Sequence, residues 1–231
     1  LKFGTTENPA RTWAVNTLIP AYVSERYADA RITSLSTGNV YPLVPVDGPG
    51  SSEEDPLTPR GEYANSCVAR ERIFEFSSVK NETPMTLIRL SYALDLRYGV
   101  LVDIARKVYA GERIDVTMGY ANAIWQGDAN EIVIRSLGLA NVPAVALNVT
   151  GPRFSLRQIA LCFEELMGRP AYVVGSEANT AFLSDTDRAD SVLGPPPTNL
   201  ETIMRWTAHW VSRGGCLLDK PTHFEVRDGA Y

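Results

Sequence analysis

The chain has 231 residues, enough for one large domain or two modest ones with a buried core. Hydrophobic residues make up 45% and charged residues 21%, which excludes a wholly disordered or low-complexity protein. Lys and Arg number 22 and Asp and Glu number 27, so 22 − 27 gives a net charge of −5. That sign is wrong for a protein dedicated to binding nucleic acid.

Cysteine use and hydropathy predict a cytoplasmic protein. The three cysteines, Cys67, Cys162 and Cys216, are scattered without CxxC spacing, so the sequence favours neither a disulfide framework nor a zinc site. The two histidines, His209 and His223, form no metal-ligand pair. No apolar run approaches the ~18 residues of a membrane span, and no signal-like segment opens the chain.

The first half of the chain alternates helices with strands. Asn8-Pro9 is typical of a helix start, and apolar residues then recur at helical spacing. A long segment rich in proline and glycine separates the first strand from the next helix, and loops of that length are usually functional. The predicted elements are a strand over Arg31–Ser36, a loop over Thr37–Arg60, a helix over Glu62–Val79, a strand over Met85–Ser91 and a helix over Val100–Ala110.

The second half continues this order. A helix over Gly127–Ala140 and a buried strand over Ala144–Asn148 are predicted. Ser155 and Thr198 each begin a capping-box pattern, which places two further helix starts. This order predicts an α/β fold, a mostly parallel sheet covered on both faces, with a smaller lobe beyond about residue 150. No GxGxxG turn, the usual mark of a dinucleotide-binding strand, occurs in the sequence.

Three motifs follow one another between residues 36 and 71. They read Ser36-Thr-Gly-Asn-Val-Tyr41, Glu53-Glu-Asp-Pro56 and Tyr63-Ala-Asn-Ser-Cys67-Val-Ala-Arg-Glu71. Their order and spacing resemble the SSxxVYG, EdxP and YxxxKxxxE pattern of the extended short-chain dehydrogenase/reductase superfamily. The branch they resemble is the NAD-dependent epimerase/dehydratase family, which includes UDP-galactose 4-epimerase.

The resemblance extends over nearly the whole chain. Leu1-Lys2-Phe-Gly4 followed by Asn16 is similar to the segment after the fourth strand of that family. Ile124-Trp-Gln-Gly-Asp128 resembles its VxDVA turn, and Leu193-Gly194 with Trp206 resembles its LGxxP…W ending. The resemblance implies a Rossmann-like doubly wound sheet whose glycine loop and first four strands, about 80 residues, precede Leu1.

This resemblance also implies a domain division. Residues 1–150 would be the C-terminal part of a Rossmann-like NAD(P)-binding domain, with insertions from the substrate lobe near 92–123. Residues 151–231 would be mainly the substrate-binding lobe and the C-terminal tail. The tail, Lys220–Asp228, either folds back over that lobe or ends as a solvated strand.

The resemblance assigns catalytic roles to Thr37, Tyr63 and Cys67. In the family, Tyr is the general acid/base, a Ser or Thr hydrogen-bonds the same substrate oxygen, and a Lys four residues after the Tyr favours its phenolate. Cys67 stands at that Lys position, and a neutral thiol supplies no positive charge. Arg70, at i+7 from Tyr63, lies on the same helix face and is a candidate cation. Alternatively, Cys67 is a small buried residue that packs the helix on the sheet.

The implied cofactor is NAD, or NADP. It would contact Ser36, Tyr63, Cys67, Leu90 and Ser91, and the residue that distinguishes NAD from NADP is not recognisable in the sequence.

The implied substrate is a sugar-like small molecule, with Lys2, Asn39, Tyr92, Trp125 and Gln126 as candidate contacts. The sequence departs from the family pattern at two positions that bind substrate phosphate in the family. Tyr92 and Ala121 stand where the family's Asn and Arg hold a substrate diphosphate, so the bidentate fork is absent. An uncharged or carboxylate-bearing sugar-like substrate is therefore expected.

Two functional hypotheses remain open on the sequence. One is an NAD(P)-dependent epimerase/dehydratase or dehydrogenase that acts on a sugar-like alcohol, with hydride transfer and Tyr63 as acid/base. The other is a non-catalytic dinucleotide- or metabolite-binding sensor or partner protein of the same fold. The resemblance also implies a homodimer, for which Ile73, Phe74 and Phe76 on the Tyr63 helix are available unless they belong to the core.

Overall fold

The computed structural model describes residues 7–220 and 222–229. Its helices are α1 (Pro9–Arg26), α2 (Gly61–Asn81), α3 (Val100–Ala110), α4 (Gln126–Arg135), α5 (Leu156–Met167), α6 (Asp187–Leu193) and α7 (Leu200–Ser212), with 3-10 turns over Gly38–Val40 and Ser136–Leu139. Its strands are β1 (Ile32–Thr37), β2 (Val44–Pro45), β3 (Met85–Leu90), β4 (Ala93–Leu94), β5 (Arg113–Asp115), β6 (Tyr120–Asn122), β7 (Ile124–Trp125), β8 (Val145–Val149), β9 (Arg153–Ser155), β10 (Tyr172–Val174) and β11 (Thr180–Ala181).

The main sheet is parallel and has the order β1-β3-β8. Thr37 pairs with Leu90 and Leu90 pairs with Val149, so the carboxyl ends of the three strands lie side by side. β3 is buried along nearly its whole length, as expected for a central strand covered on both faces. Ligands of open parallel sheets bind beyond the carboxyl ends of the strands, which directs attention to that edge.

Helices cover both faces of this sheet, as the sequence predicts. On one face, Phe74 of α2 packs with Met85 and Leu87 of β3. On the other face, Ile88 of β3 packs with Ile132 of α4. Alternate residues of β3 therefore serve two separate apolar layers, which is why the strand reads as a continuous apolar run.

A second and larger core lies away from the main sheet. Buried residues of α3, α5 and α7 form it together with short strands, and its members come from 94–123 and from 154–224. Two-stranded sheets border it, pairing β5 with β10, β6 with β9, β2 with β11 and β4 with β7. The joining of these two stretches in one core is consistent with the predicted insertion near 92–123, and the domain boundary at residue 150 stays a prediction.

The C-terminal tail folds back over this larger core. Phe224 is buried in it, and the backbone and hydroxyl of Thr222 both donate hydrogen bonds to Asp103 of α3, at 2.8 and 2.7 Å. Arg227 donates to the carbonyl and the hydroxyl of Thr180. Of the two alternatives for the tail, the folded-back one is confirmed.

Two predicted helix boundaries need correction. A single helix was predicted over Gly127–Ala140, but the α-helix ends at Arg135 and a 3-10 turn follows it. The last helix is capped by Asn199, whose side chain accepts a hydrogen bond from Thr202, and not by Thr198. The hydroxyl and the amide of Thr198 are instead bonded to Asp128. The cap at Ser155 is confirmed by its hydrogen bond from Gln158.

Within residues 7–220 and 222–229, no helix is both long enough and apolar enough to span a membrane. The same residues contain no group of three or more His, Cys, Asp and Glu side chains placed to hold a metal ion.

Candidate active site

An open cleft of about 290 Å³ lies at the carboxyl ends of β1 and β3. Residues from β1, α2, β3 and the loops that follow them converge there, as expected at this edge of a parallel sheet. The residues that line it are Leu35, Ser36, Thr37, Asn39, Tyr63, Arg70, Leu90, Ser91, Tyr92, Ala93, Tyr98 and Phe182.

A larger cleft of about 480 Å³ lies elsewhere and is a weaker candidate. Its charged side chains include Asp185, Asp187 and Asp190, and its cation, Arg153, is bonded to the carbonyls of Val46 and Gly48. Only the smaller of the two clefts combines a phenol, an adjacent hydroxyl and a cation. That combination suits proton transfer, so the smaller cleft is the candidate active site.

Thr37 and Tyr63 meet in this cleft. Thr37 ends β1 and caps the following 3-10 turn, its Oγ1 accepting a hydrogen bond from the amide of Asn39 at 3.2 Å. Tyr63 lies in the first turn of α2, and its hydroxyl is hydrogen-bonded to Thr37. The structure thus brings the two predicted catalytic hydroxyls together at an open wall.

Tyr63 is a neutral phenol at neutral pH. Its pKa lies well above the ordinary value, mainly because burial disfavours the phenolate and also because of Cys67 beside it. The hydrogen bond from Thr37 and the positive charge of Arg70 act in the opposite direction. Tyr63 is therefore ready to donate a proton, and it accepts one only to the extent that its surroundings favour the phenolate.

Cys67 lies behind Tyr63 and not on the cleft wall. It is 0% exposed and packs with Val40 and Tyr41. Burial raises the pKa of its thiol, an effect that Arg70 and the hydrogen bond with Tyr63 partly oppose. The packing alternative for this residue is the one that the structure supports, and a fully buried thiol is not placed to contact a cofactor directly.

Arg70 supplies the positive charge on this face of α2. Its Nη1 donates to the carbonyl of Leu35 at 2.6 Å, and its Nη2 donates to Oδ1 of Asn16 at 2.8 Å. Asn16 is buried between α1 and α2 and donates in turn to Ser66. The guanidinium is thereby fixed at the cleft that Tyr63 also lines.

A buried polar network beneath the cleft was not predicted from the sequence. Arg89 of β3 and Glu71 of α2, 4% and 0% exposed, form an ion pair at 2.8 Å. Ser36, a predicted cofactor contact, donates its hydroxyl hydrogen to Glu71. The side chain of Ser36 is therefore part of this buried network as well as of the cleft wall. Arg89 also donates to Tyr41, which donates to Asn148 of β8. The sequence does contain two signals of such a network: a Glu on the buried face of a predicted helix and an Arg within an apolar strand.

Ser91 and Tyr92 form the opposite side of the cleft, next to Leu90. A Cβ atom on Gly38 would lie 2.1 Å from Oγ of Ser91, so any larger residue at position 38 would require the Ser91 side chain to move. Tyr92 has a φ of 30°, in the left-handed region that is strained for a bulky side chain. Such strain is found often at functional sites.

The predicted substrate contacts are only partly brought together. Asn39 and Tyr92 line the cleft, whereas Trp125 packs edge-on against Trp206 with ring centroids 5.4 Å apart. Gln126 is exposed at the start of α4, and neither it nor Trp125 lines the cleft. Lys2 lies outside the described residues.

Two aromatic residues of the cleft escaped the sequence analysis. Tyr98 precedes α3, and its pKa is raised to about 12 by burial and by the negative charge of Asp103. Phe182 follows β11, more than a hundred residues after Tyr63 in the chain. No local pattern identifies either residue, because only the packing of the second core brings them to this edge.

Comparison with known proteins supports the fold and leaves the chemistry open. No family model and no curated protein matches the sequence. Solved structures do match. UDP-glucose 4-epimerase from Thermotoga maritima, with UDP-glucose, has a TM-score of 0.76 at 15% identity, over 91% of this chain and 73% of that chain.

Two further structures give the same result. UDP-glucose 4-epimerase from Thermus thermophilus, in complex with NAD, has a TM-score of 0.71 at 18% identity, over 90% of this chain and 73% of that chain. dTDP-glucose 4,6-dehydratase from Bacillus anthracis, in complex with NAD, has a TM-score of 0.74 at 15% identity, over 87% of this chain and 68% of that chain. The chain therefore shares the Rossmann-like α/β fold of these epimerase and dehydratase structures.

Proposed function

We propose that the protein is an NAD(P)-dependent epimerase/dehydratase or dehydrogenase that acts on a sugar-like alcohol, with Tyr63 as general acid/base. The single observation that carries this proposal is the hydrogen-bonded pair of Tyr63 and Thr37 in an open cleft at the carboxyl ends of β1 and β3. A phenol held by a second hydroxyl is the arrangement needed to exchange a proton with a substrate hydroxyl.

NAD is the cofactor that we propose, because structures of similar fold are described in complex with it. When bound, NAD supplies a hydride acceptor for the substrate carbon, so that an alcohol is oxidised to a carbonyl. The described residues fit its reactive end, since Leu90 and Ser91 give the cleft an apolar and a polar wall facing Tyr63. Ser36 supports the cleft through its hydrogen bond to Glu71. Cys67 supports it through its packing behind Tyr63.

The roles of the chain's own residues follow from their environment. In its phenolate form, Tyr63 Oη takes the proton of the substrate hydroxyl as hydride leaves the carbon that bears it, and the resulting neutral phenol returns that proton in the reverse reaction. Thr37 holds the same oxygen by hydrogen bonding. Asn39 and Tyr92 face the same space and are proposed to orient the substrate.

The substrate is proposed to be a sugar-like alcohol without a diphosphate. Tyr92 and Ala121 occupy the two positions at which the resembled family binds phosphate, and Ala121 is buried. Similar folds are described with UDP-glucose and UDP-glucuronic acid, so nucleotide sugars belong in the test as comparison compounds.

The test is reduction of NAD or NADP over a panel of free sugars, sugar acids and nucleotide sugars. Tyr63→Phe should abolish turnover while dinucleotide affinity stays within a few-fold, because only the proton-transfer atom is lost. Tyr172→Phe, on the exposed strand β10, is the matched control and should leave turnover unchanged. Turnover that survives Tyr63→Phe would refute the proposed mechanism.

The alternative is a non-catalytic protein that binds a dinucleotide or metabolite. The buried, uncharged Cys67 at the family's Lys position favours it, since the usual cation is missing. This alternative predicts dinucleotide binding by titration calorimetry with no turnover of any compound in the panel by the wild-type protein.

We further propose a homodimer formed through α1 and α2, in a reducing compartment such as the cytoplasm. Phe76 is 66% exposed and lines a groove between the two helices, and Ile19 of α1 is 53% exposed, whereas Phe74 is buried and belongs to the core. Exposed apolar patches of this kind are typical of interfaces. In sedimentation equilibrium, Phe76→Glu should yield monomers, and Ile134→Glu on α4 should not.

A further inference from the structure

Arg70 is held in an unusual way for a surface arginine. Two different chain segments fix its guanidinium, the carbonyl of Leu35 on β1 and the side chain of Asn16 on α1. Neither partner carries a charge, so the positive charge of Arg70 is not neutralised by these contacts. A guanidinium has five N–H donors, and these two bonds leave others available towards the cleft.

The same hydrogen bonds connect Arg70 to Tyr63. Asn16 accepts from Arg70 at 2.8 Å and donates to Oγ of Ser66 at 2.8 Å. Ser66 donates to the carbonyl of Tyr63 at 2.7 Å. The position of the cation relative to the first turn of α2, whose Tyr63 lines the same cleft, is therefore set by a chain of short hydrogen bonds and does not depend on a freely rotating side chain.

We propose that Arg70 is the positioning cation of the proton-transfer site and replaces, from three residues further along α2, the charge that Cys67 does not supply. The proposal rests on the proposed role of Tyr63. It predicts that Arg70 raises the fraction of Tyr63 present as phenolate and so speeds proton acceptance by Tyr63.

Among the described residues, the other titratable groups around Tyr63 do not provide this charge. Cys67, on the same helix, is a buried neutral thiol, and Tyr98 across the cleft is a neutral phenol. Tyr92 is a third phenol in the cleft wall. Glu71 is paired with Arg89 below the cleft. Arg70 is the only cation among the residues that line the cleft in the described part of the chain.

The test measures phenolate formation directly and needs no substrate. The neutral reagent phenylmethanesulfonyl fluoride reacts with phenolate: the oxygen forms a bond to sulfur, and fluoride leaves. Labelling of Tyr63 is followed by peptide mass spectrometry between pH 7.5 and 9.5, and labelling of the exposed Tyr172 in the same sample is the internal reference.

A nearby cation changes a pKa by roughly one to three units, so the expected effect is large. Arg70→Gln should slow Tyr63 labelling at least about tenfold at each pH, and Arg70→Lys should restore it to within a few-fold of wild type. Arg72→Gln is the matched control, because Arg72 lies on the same helix and pairs with Glu75 at the surface. Arg70→Met serves as a second neutral variant if Arg70→Gln folds poorly.

Three results would overturn the proposal. They are unchanged Tyr63 labelling in Arg70→Gln, labelling as slow in Arg70→Lys as in Arg70→Gln, and no Tyr63 labelling in wild type while Tyr172 reacts. Failure of the proposed function has a different signature, namely turnover that persists in Tyr63→Phe. The two failures are therefore read from separate measurements.

Discussion

Two consecutive residues of α2 place charge in opposite situations. Glu71 lies in a dry interior, where Arg89 neutralises it. Arg70, one residue earlier, faces an open cleft and is held only by neutral groups. The paired charges neutralise each other beneath the cleft, whereas the charge of Arg70 favours the phenolate of Tyr63. The comparison separates the residues that hold the site together from those that we propose to perform its chemistry.

The largest expected effect comes from breaking the buried pair. Glu71→Gln should destabilise the fold by about 3–5 kcal/mol, because Arg89 would keep a buried charge without a counter-charge. The measurement is urea unfolding followed by circular dichroism. Glu75→Gln, which removes an exposed partner of Arg72, is the control and should change stability by no more than about 0.5 kcal/mol. Equal effects of the two variants would contradict this account.

The start of α2 should be nearly as sensitive. Gly61 has a φ of 77°, and a Cβ there would lie 2.2 Å from the carbonyl oxygen of Gly229 in the folded-back tail. Gly61→Ala should therefore cost about 1–3 kcal/mol in the same unfolding experiment. Gly138→Ala has open space around it and should be close to neutral. A harmless Gly61→Ala would mean that the tail does not pack against α2.

The pH dependence of turnover sharpens the contrast at the cleft. The pKa of Tyr63 is raised by burial, so its phenolate is scarce at neutral pH and increases tenfold per pH unit. Initial rates of alcohol oxidation should therefore rise about tenfold per unit between pH 7 and 9 without reaching a plateau. A plateau below pH 8 would contradict the raised pKa.

Cys67 should give the smallest effect on chemistry. Because its thiol is buried and uncharged, Cys67→Ala should leave turnover within a few-fold of wild type and cost about 1 kcal/mol of stability from lost packing. Parallel rate and unfolding measurements would show this. A loss of turnover as large as that in Tyr63→Phe would instead make the thiol part of the reaction.

The fold could be predicted largely from local signals. α3 has the predicted bounds, since Gly99 and Gly111 flank a strongly amphipathic segment. Parallel strands could be inferred from apolar runs separated by helices. The transition to a 3-10 turn after Arg135 could not, because helical periodicity does not distinguish the two kinds of helix.

The candidate site was predictable where one motif carries it. Thr37 and Tyr63 were predicted from the resemblance of their motifs to a known family, and Arg70 was predicted from its place on the helix face. Trp125 and Gln126 were next to a motif but not next to the cleft. The ion pair of Glu71 with Arg89 required the packing of α2 on β3, which no local pattern encodes.

The central claim is that the reaction takes place beside Tyr63, at the carboxyl ends of β1 and β3. The most direct measurement is a crystal structure of the protein with NAD. The account predicts that the nicotinamide lies against Leu90 and Ser91, within hydrogen-bond reach of Tyr63. A dinucleotide bound in the larger cleft beside Asp185 and Asp187 would contradict it.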